Sequence, residues 1–249
     1  MSEADKLVTI AENQQKVYDA GKSAEWNEFW DEFQANGNRT NYYYAFGAND
    51  TGGWTDKTFK PKYDLIPITT AYGMFRGCKV TNLKQSLIDS GITLDLSGCK
   101  TFHYTFYSMS NNTHIPEIDA RNATYFASMF GWSGKLQTID KIILPNSDTV
   151  ITSFNPDFAG CNALENIIIE GVIPGTWNMK DCKKLTKSSI ISIINALSST
   201  KSGQTVTFSK TAINAAFGIN VDDESTFPEG SEYYILRNSK SNWTFSYTA

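Results

Sequence analysis

Three rhythms of apolar residues divide the chain. In the first, Leu7, Ile10, Gln14 and Val17 fall at 3-4-3 spacing in a stretch that lacks Gly and Pro and ends at Gly21, which predicts an N-terminal helix over 1–22. Its stripe is too short to hold alone, so it must pack on the rest of the chain or on copies of itself. A polar Gln14 in the seam suits a coiled coil with fixed register. In the second, Trp26, Phe29, Trp30 and Phe33 recur at i, i+3, i+4 and i+7, with Ser23 placed as N-cap and Gly37 as stop. Four aromatics on one helical face bury about 150 Å² or more each, which suits a helical cap over 23–60 that seals the first turn of a repeat array from water. The alternative, a sugar-binding platform of Trp26 and Trp30, fits less well because helical periodicity points inward.

From about residue 61 the pattern repeats. Leu94–Phe106 and Ile118–Phe130 match at a displacement of 24 residues, with Leu94/Ile118, Asp95/Asp119, Leu96/Ala120, Cys99/Ala123, Phe102/Phe126 and Phe106/Phe130 aligned. A wider phrase sets an aromatic or Met three residues before a small residue and six before a Leu, as in Phe130-Ser133-Leu136, Phe158-Cys161-Leu164 and Met179-Cys182-Leu185. Alternating apolar runs come after it, Ile139-Ile142-Leu144 and Ile167-Ile169. The anchors Phe75, Phe106, Phe130, Phe158 and Met179 stand 31, 24, 28 and 21 residues apart. Periods near 25 with one short β run per unit predict an α/β solenoid over 61–187, a leucine-rich-repeat-like array of short parallel strands. Each unit is expected to return through a turn or short helix.

Beyond it, Ile190, Ile191, Ile194 and Leu197 fall at helical spacing with Ser188 as N-cap. Val206 and Phe208 alternate, residues 211–217 offer further helical turns, and Trp243, Phe245 and Tyr247 share one strand face. Residues 188–249 therefore read as an α+β C-terminal cap, with the acidic stretch from Asn220 to Tyr234 as a surface loop.

Composition narrows the function. The chain is 41% hydrophobic and 19% charged, enough apolar content for a real core, and its net charge of −4 comes with scattered cations, which excludes a nucleic-acid footprint. No segment reaches the roughly 20 apolar residues of a membrane span, and the N-terminus lacks the apolar core of a signal peptide, so cytoplasmic synthesis without membrane insertion is expected. Cys78, Cys99, Cys161 and Cys182 have no paired spacing and recur within the repeated phrase, as reduced core thiols do; no metal or cofactor is expected. His103 and His114 stand outside any nucleophile motif, and Asp95 and Asp119 are equivalent positions of adjacent units, placed for turn hydrogen bonds and not for acid/base work. Asp222, Asp223 and Glu224 offer oxygen ligands for Ca²⁺ but lack the glycine and distal glutamate of an EF-hand loop. No enzyme is predicted.

Binding is the stronger class. His103, Tyr104, Tyr107, Tyr125 and Trp132 lie beside the repeat anchors, not on them, and form a candidate aromatic and polar stripe for glycan stacking or protein contact; the competing reading has Tyr107 and Trp132 filling space between uneven turns. Within Tyr42–Tyr44, alternation leaves at least one ring facing solvent or a partner.

Taken together, the phrases WNEFWDEFQANGNRTNYYYAF, WTDKTFKPKYDLIP, MFRGC, ALENIIIEGVI and LTKSSIISIINALSSTKSGQTVTFSK resemble leucine-rich repeat proteins encoded in the tail or structural modules of tailed bacteriophages and prophages of gut bacteria. The resemblance covers nearly the whole chain and departs at Gly218–Ser239, which replaces a shorter helical cap. The repeats are similar, more loosely, to those of bacterial surface adhesins. What the resemblance implies is a non-enzymatic virion or tail-associated protein that assembles with other tail components. The variable repeat surface adds the expectation of attachment to a bacterial surface glycan or protein, and the short stripe of Leu7, Ile10, Gln14 and Val17 that of a trimer. A bacterial adhesin, a polysaccharide-cleaving enzyme with an unrecognised site and a tail part without host contact are the alternatives.

Overall fold

The computed structural model describes residues 19, 26, 28–35, 42, 44–47, 53–65 and 68–249. The stripe of Leu7, Ile10, Gln14 and Val17, Ser23, Gly37 and Tyr43 lie outside the described residues. In chain order the strands are β1 (Thr101–His103), β2 (His114–Ile115), β3 (Ile118–Asp119), β4 (Tyr125–Ala127), β5 (Thr138–Ile143), β6 (Ser153–Asn155), β7 (Asn166–Glu170), β8 (Trp177–Met179), β9 (Gln204–Ser209) and β10 (Trp243–Thr248). The helices are α1 (Glu28–Ala35), α2 (Leu83–Ser90), α3 (Lys187–Ala196), α4 (Lys210–Phe217) and α5 (Glu232–Asn238).

These build a parallel-strand β-solenoid of about four turns. One row is β1-β4-β6, in which Phe102, Phe126 and Phe154 are aligned. A second row aligns Ile115, Ile139 and Ile167 and then Ile118, Ile142 and Ile169 through β2, β3, β5 and β7. Between Thr101 and Glu170 each turn thus returns through a second strand, where the sequence pattern predicts one strand and a turn or helix. The reason is length. A three-residue strand such as β1 buries only Phe102 between two half-exposed neighbours, too little alternation to register as a period.

Rings at equivalent positions stack along the coil. Centroids of Phe46, Phe75, Phe106, Phe130 and Phe158 succeed one another at 5.6, 5.6, 5.9 and 4.9 Å. Strands spaced about 4.8 Å apart bring identical side chains to offset-stacking distance, so one aromatic per turn generates a continuous core. The small residue three places on is a donor to the preceding turn. Cys78 Sγ donates to the Trp54 carbonyl (3.4 Å), Ser133 Oγ to Phe106 (3.1 Å) and Cys161 Sγ to Phe130 (3.3 Å). All four cysteines are buried and unpaired.

α1 lays its aromatic face on the first turn. Trp30 is fully buried, 5.1 Å from Trp54 and 5.6 Å from Phe46, so it is no exposed platform. Gln34 ties the helix to the segment at Lys62 and Tyr63, accepting from Lys62 N–H (2.7 Å) and donating to the Tyr63 carbonyl (2.9 Å). The second row is closed at both edges, by α2 beside β2 and α3 beside β7. Asn112 Oδ1 accepts from Leu83 N–H at the start of α2, while Ser189 and Ser192 of α3 accept from Ile167 and Ile169 N–H at 3.0 and 2.8 Å.

α3 begins two residues earlier than expected, with Thr186 and not Ser188 before its first residue, because Ser189 is buried beside β7 and bonds the Glu165 carbonyl. β9 and β10 continue in parallel from β8. The stretch expected as a loop, Asn220 to Tyr234, holds a 3₁₀ turn (Glu224–Thr226) and the start of α5. There Asp223 caps the turn by accepting from Ser225 N–H, and Ser231 caps α5 by accepting from Tyr234 N–H; α5 buries Tyr233. Asp222 pairs with Lys210 and Glu224 with Arg237.

Candidate functional site

After each strand of the first row the chain turns a corner through two left-handed residues, and the turn at Gly73 does the same. The pairs are Gly73 and Gly77, Tyr104 and Ser108, Ser128 and Trp132, and Asp157 and Gly160, with φ between 47° and 74°. The corners stack through main-chain bonds. Gly73 N–H donates to His103, Tyr104 N–H to Ala127 and Ser128 N–H to Asn155, at 2.8 to 3.1 Å. Left-handed geometry costs about 1–2 kcal/mol for a residue with a Cβ, so Tyr104 and Trp132 occupy these corners at a cost to folding.

Stacking these corners collects an aromatic cluster. Tyr72 packs on Tyr44 (5.6 Å) and on His103 (4.6 Å). His103 lies on Tyr104 (4.1 Å) and faces Tyr125 (5.7 Å), and Tyr104 meets Tyr107 edge-on (5.2 Å). Arg76 sits within it, its guanidinium carbon 5.0 Å from the Tyr104 centroid and 5.7 Å from those of Tyr44 and Tyr107, with Nη1 donating to Tyr44 Oη at 2.8 Å. Such cation–π contacts contribute on the order of 0.5–1 kcal/mol each at exposed sites. Burial, with Arg76 as a second cause, holds the His103 imidazole below its ordinary pKa, so the ring is neutral at neutral pH.

Two glycines make room for the rings. A Cβ on Gly73 would stand 2.7 Å from the Tyr44 ring, and one on Gly131 would stand 2.9 Å from Tyr107 Cε2 and 2.6 Å from Asp157 Oδ2. Next along the same edge, β6 and β8 are not paired, and an open hollow of about 380 Å³ lies between them, lined by Asn155, Asp157, Asn178, Lys180 and Asp181 among others. A Cβ on Gly160, beside this hollow, would stand 3.4 Å from Trp132 Cα.

Four of the five expected residues, His103, Tyr104, Tyr107 and Tyr125, come together. Trp132 is 63% exposed, which argues against a space-filling role, but among the described residues it joins none of these rings. Tyr107 is half-buried over Gly131, so it does fill space in part. Sequence reasoning missed Tyr72 and Arg76, and it singled out Tyr44 only within the triple tyrosine. Tyr72 precedes a left-handed corner residue just as His103 does, and that register was the available signal. Of the triple tyrosine, Tyr42 is buried and Tyr44 half-exposed.

The remaining polar groups hold structure. Asp95 accepts from Ser97 N–H (2.9 Å), and its hydrogen bonds from Ser97 keep its carboxyl below the usual range; Asp119 accepts from the Arg121 guanidinium (2.9 Å). His114 and Lys84 both pair with Asp140, at 2.6 and 2.8 Å, linking α2, β2 and β5. Among the described residues no hydroxyl or thiol bonds either histidine, no three His, Cys, Asp or Glu side chains gather as metal ligands, and no helix is long and apolar enough to cross a membrane.

Fold and corner together define a parallel β-solenoid presenting an aromatic, arginine-centred face. No family model, curated protein or solved structure matches the chain.

Proposed function

We propose that this chain is a non-enzymatic binding protein of a phage tail that attaches to a glycan or protein of a bacterial surface through its aromatic corner. The observation that carries the reading is the ring cluster of Tyr44, Tyr72, His103, Tyr104, Tyr107 and Tyr125 around Arg76. These side chains stand outside the stacked phenylalanine core, so a partner can use them without disturbing it, and aromatic and arginine side chains dominate binding hot spots. The tail setting rests on the resemblance of the quoted phrases. In finer terms the array is leucine-rich-repeat-like, α1 is its N-terminal cap and residues 188–249 its C-terminal cap. Weak contacts per copy would be multiplied by oligomeric display.

The test is binding of fluorescently labelled full-length protein to a panel of gut bacteria, with and without enzymatic stripping of surface glycans. Saturable binding to some strains is the expected result, and its loss on stripping assigns the ligand to glycan. Absence of binding to a panel that includes the natural host, by protein shown to be folded, would reassign the chain to tail architecture.

A further inference from the structure

Arg76 differs from the other described arginines. Arg121 pairs with Asp119 and Arg237 with Glu224, whereas Arg76 has no carboxylate partner among the described residues. Its Nη1 donates to Tyr44 Oη, and Nε and Nη2 have no hydrogen-bond partner there. A guanidinium carries five N–H donors in a planar fork that matches a carboxylate bidentately. Here three tyrosine rings hold that fork at a half-exposed position. The rings partly desolvate the charge and fix its direction without neutralising it.

From this we infer that the corner is a site for an acidic saccharide, whose carboxylate takes the open edge of the Arg76 fork while a sugar ring lies on the tyrosines. The inference rests on the binding role proposed above and names its ligand class. Three features favour a sugar over an acidic peptide. Around Arg76 the nearby strands are paired, β1 with β4 and β4 with β6, so among the described residues this corner offers ring faces and no open main-chain ladder. Phenolic hydroxyls and the neutral His103 imidazole surround the cation and supply donors and acceptors for sugar hydroxyls. The chain's net charge of −4 gives no general attraction for anions, so recognition must come from this one paired contact.

The experiment is a glycan array probed with the full chain, carrying uronic- and sialic-acid oligosaccharides, their carboxyl-reduced counterparts, sulfated oligosaccharides and aspartate-rich peptides. Hits confined to carboxylate sugars, weakened about tenfold or more by both Arg76→Gln and Arg76→Lys, are expected, since a lysine retains charge but not the fork. Circular dichroism and thermal melting of both variants verify folding, and Arg76→Lys, which keeps the charge over the rings, remains informative if Arg76→Gln does not fold. Binding that survives carboxyl reduction, prefers sulfate or peptide, or ignores both substitutions overturns the acidic-sugar inference and leaves the attachment role standing. Absence of any array signal together with no binding to cells overturns both.

Discussion

Gly131 determines where Tyr107 lies. Its backbone is outside the left-handed region, so an alanine there is a question of space alone, and the new Cβ would press on Tyr107 and Asp157 together. Gly131→Ala is therefore expected to move Tyr107 while costing little stability. In fluorotyrosine-labelled protein the ¹⁹F resonance of Tyr107 should shift and that of Tyr72 stay; an unmoved Tyr107 signal would contradict the packing described. The buried thiols give a second residue-scale outcome. Burial pushes Cys78, Cys99 and Cys161 up to about 12 and Cys182 well above its ordinary value, so at neutral pH essentially no thiolate is present in the folded state. A thiol-reactive dye should label none of the four cysteines of native protein and all four in denaturant; rapid native labelling would place a cysteine at the surface.

At the scale of elements, α3 protects the edge of β7. Ser189→Ala removes the acceptor for Ile167 N–H and leaves a buried donor unpaired, which costs about 1–3 kcal/mol. The expected readout is a lower urea midpoint with an unchanged slope, and an unaltered midpoint would mean the edge is satisfied some other way. Elements of this kind differ in how far the sequence reveals them. The phenylalanine anchors were legible because each repeats the same burial demand, and Phe75, Phe106, Phe130 and Phe158 do stack. The first strand row was not, since three-residue strands have no period, nor was α5, whose sequence buries one residue, Tyr233, and so lacks a stripe. Its signals were chemical instead: Ser231 as cap, Glu232 in the first turn and Arg237 in the last. In the candidate site the exposed aromatics were legible as positions the repeat leaves variable. Arg76 was not, because its place among rings from neighbouring turns exists only once the strand register is set.

For the whole molecule, parallel stacking makes each turn depend on its neighbours and gives a surface that lengthens along the coil without altering the core. Display in several copies would then raise avidity, and the proposed trimer through Leu7, Ile10, Gln14 and Val17 has a direct check. Multi-angle light scattering should report three chains per particle, falling to one when Leu7 and Ile10 are made polar; a monomer in both cases would remove the oligomer from the account. The central claim is that the aromatic corner is the contact face. Tyr104 and Tyr125 belong to the ring cluster and stand outside the phenylalanine core, so replacing both by serine leaves that core intact. The most direct measurement is the binding isotherm of wild-type and Tyr104→Ser/Tyr125→Ser protein on a bacterial strain that binds the wild type. The account predicts saturable wild-type binding and a loss of about tenfold or more in the double variant at an unchanged melting temperature; equal binding by the two proteins would contradict it.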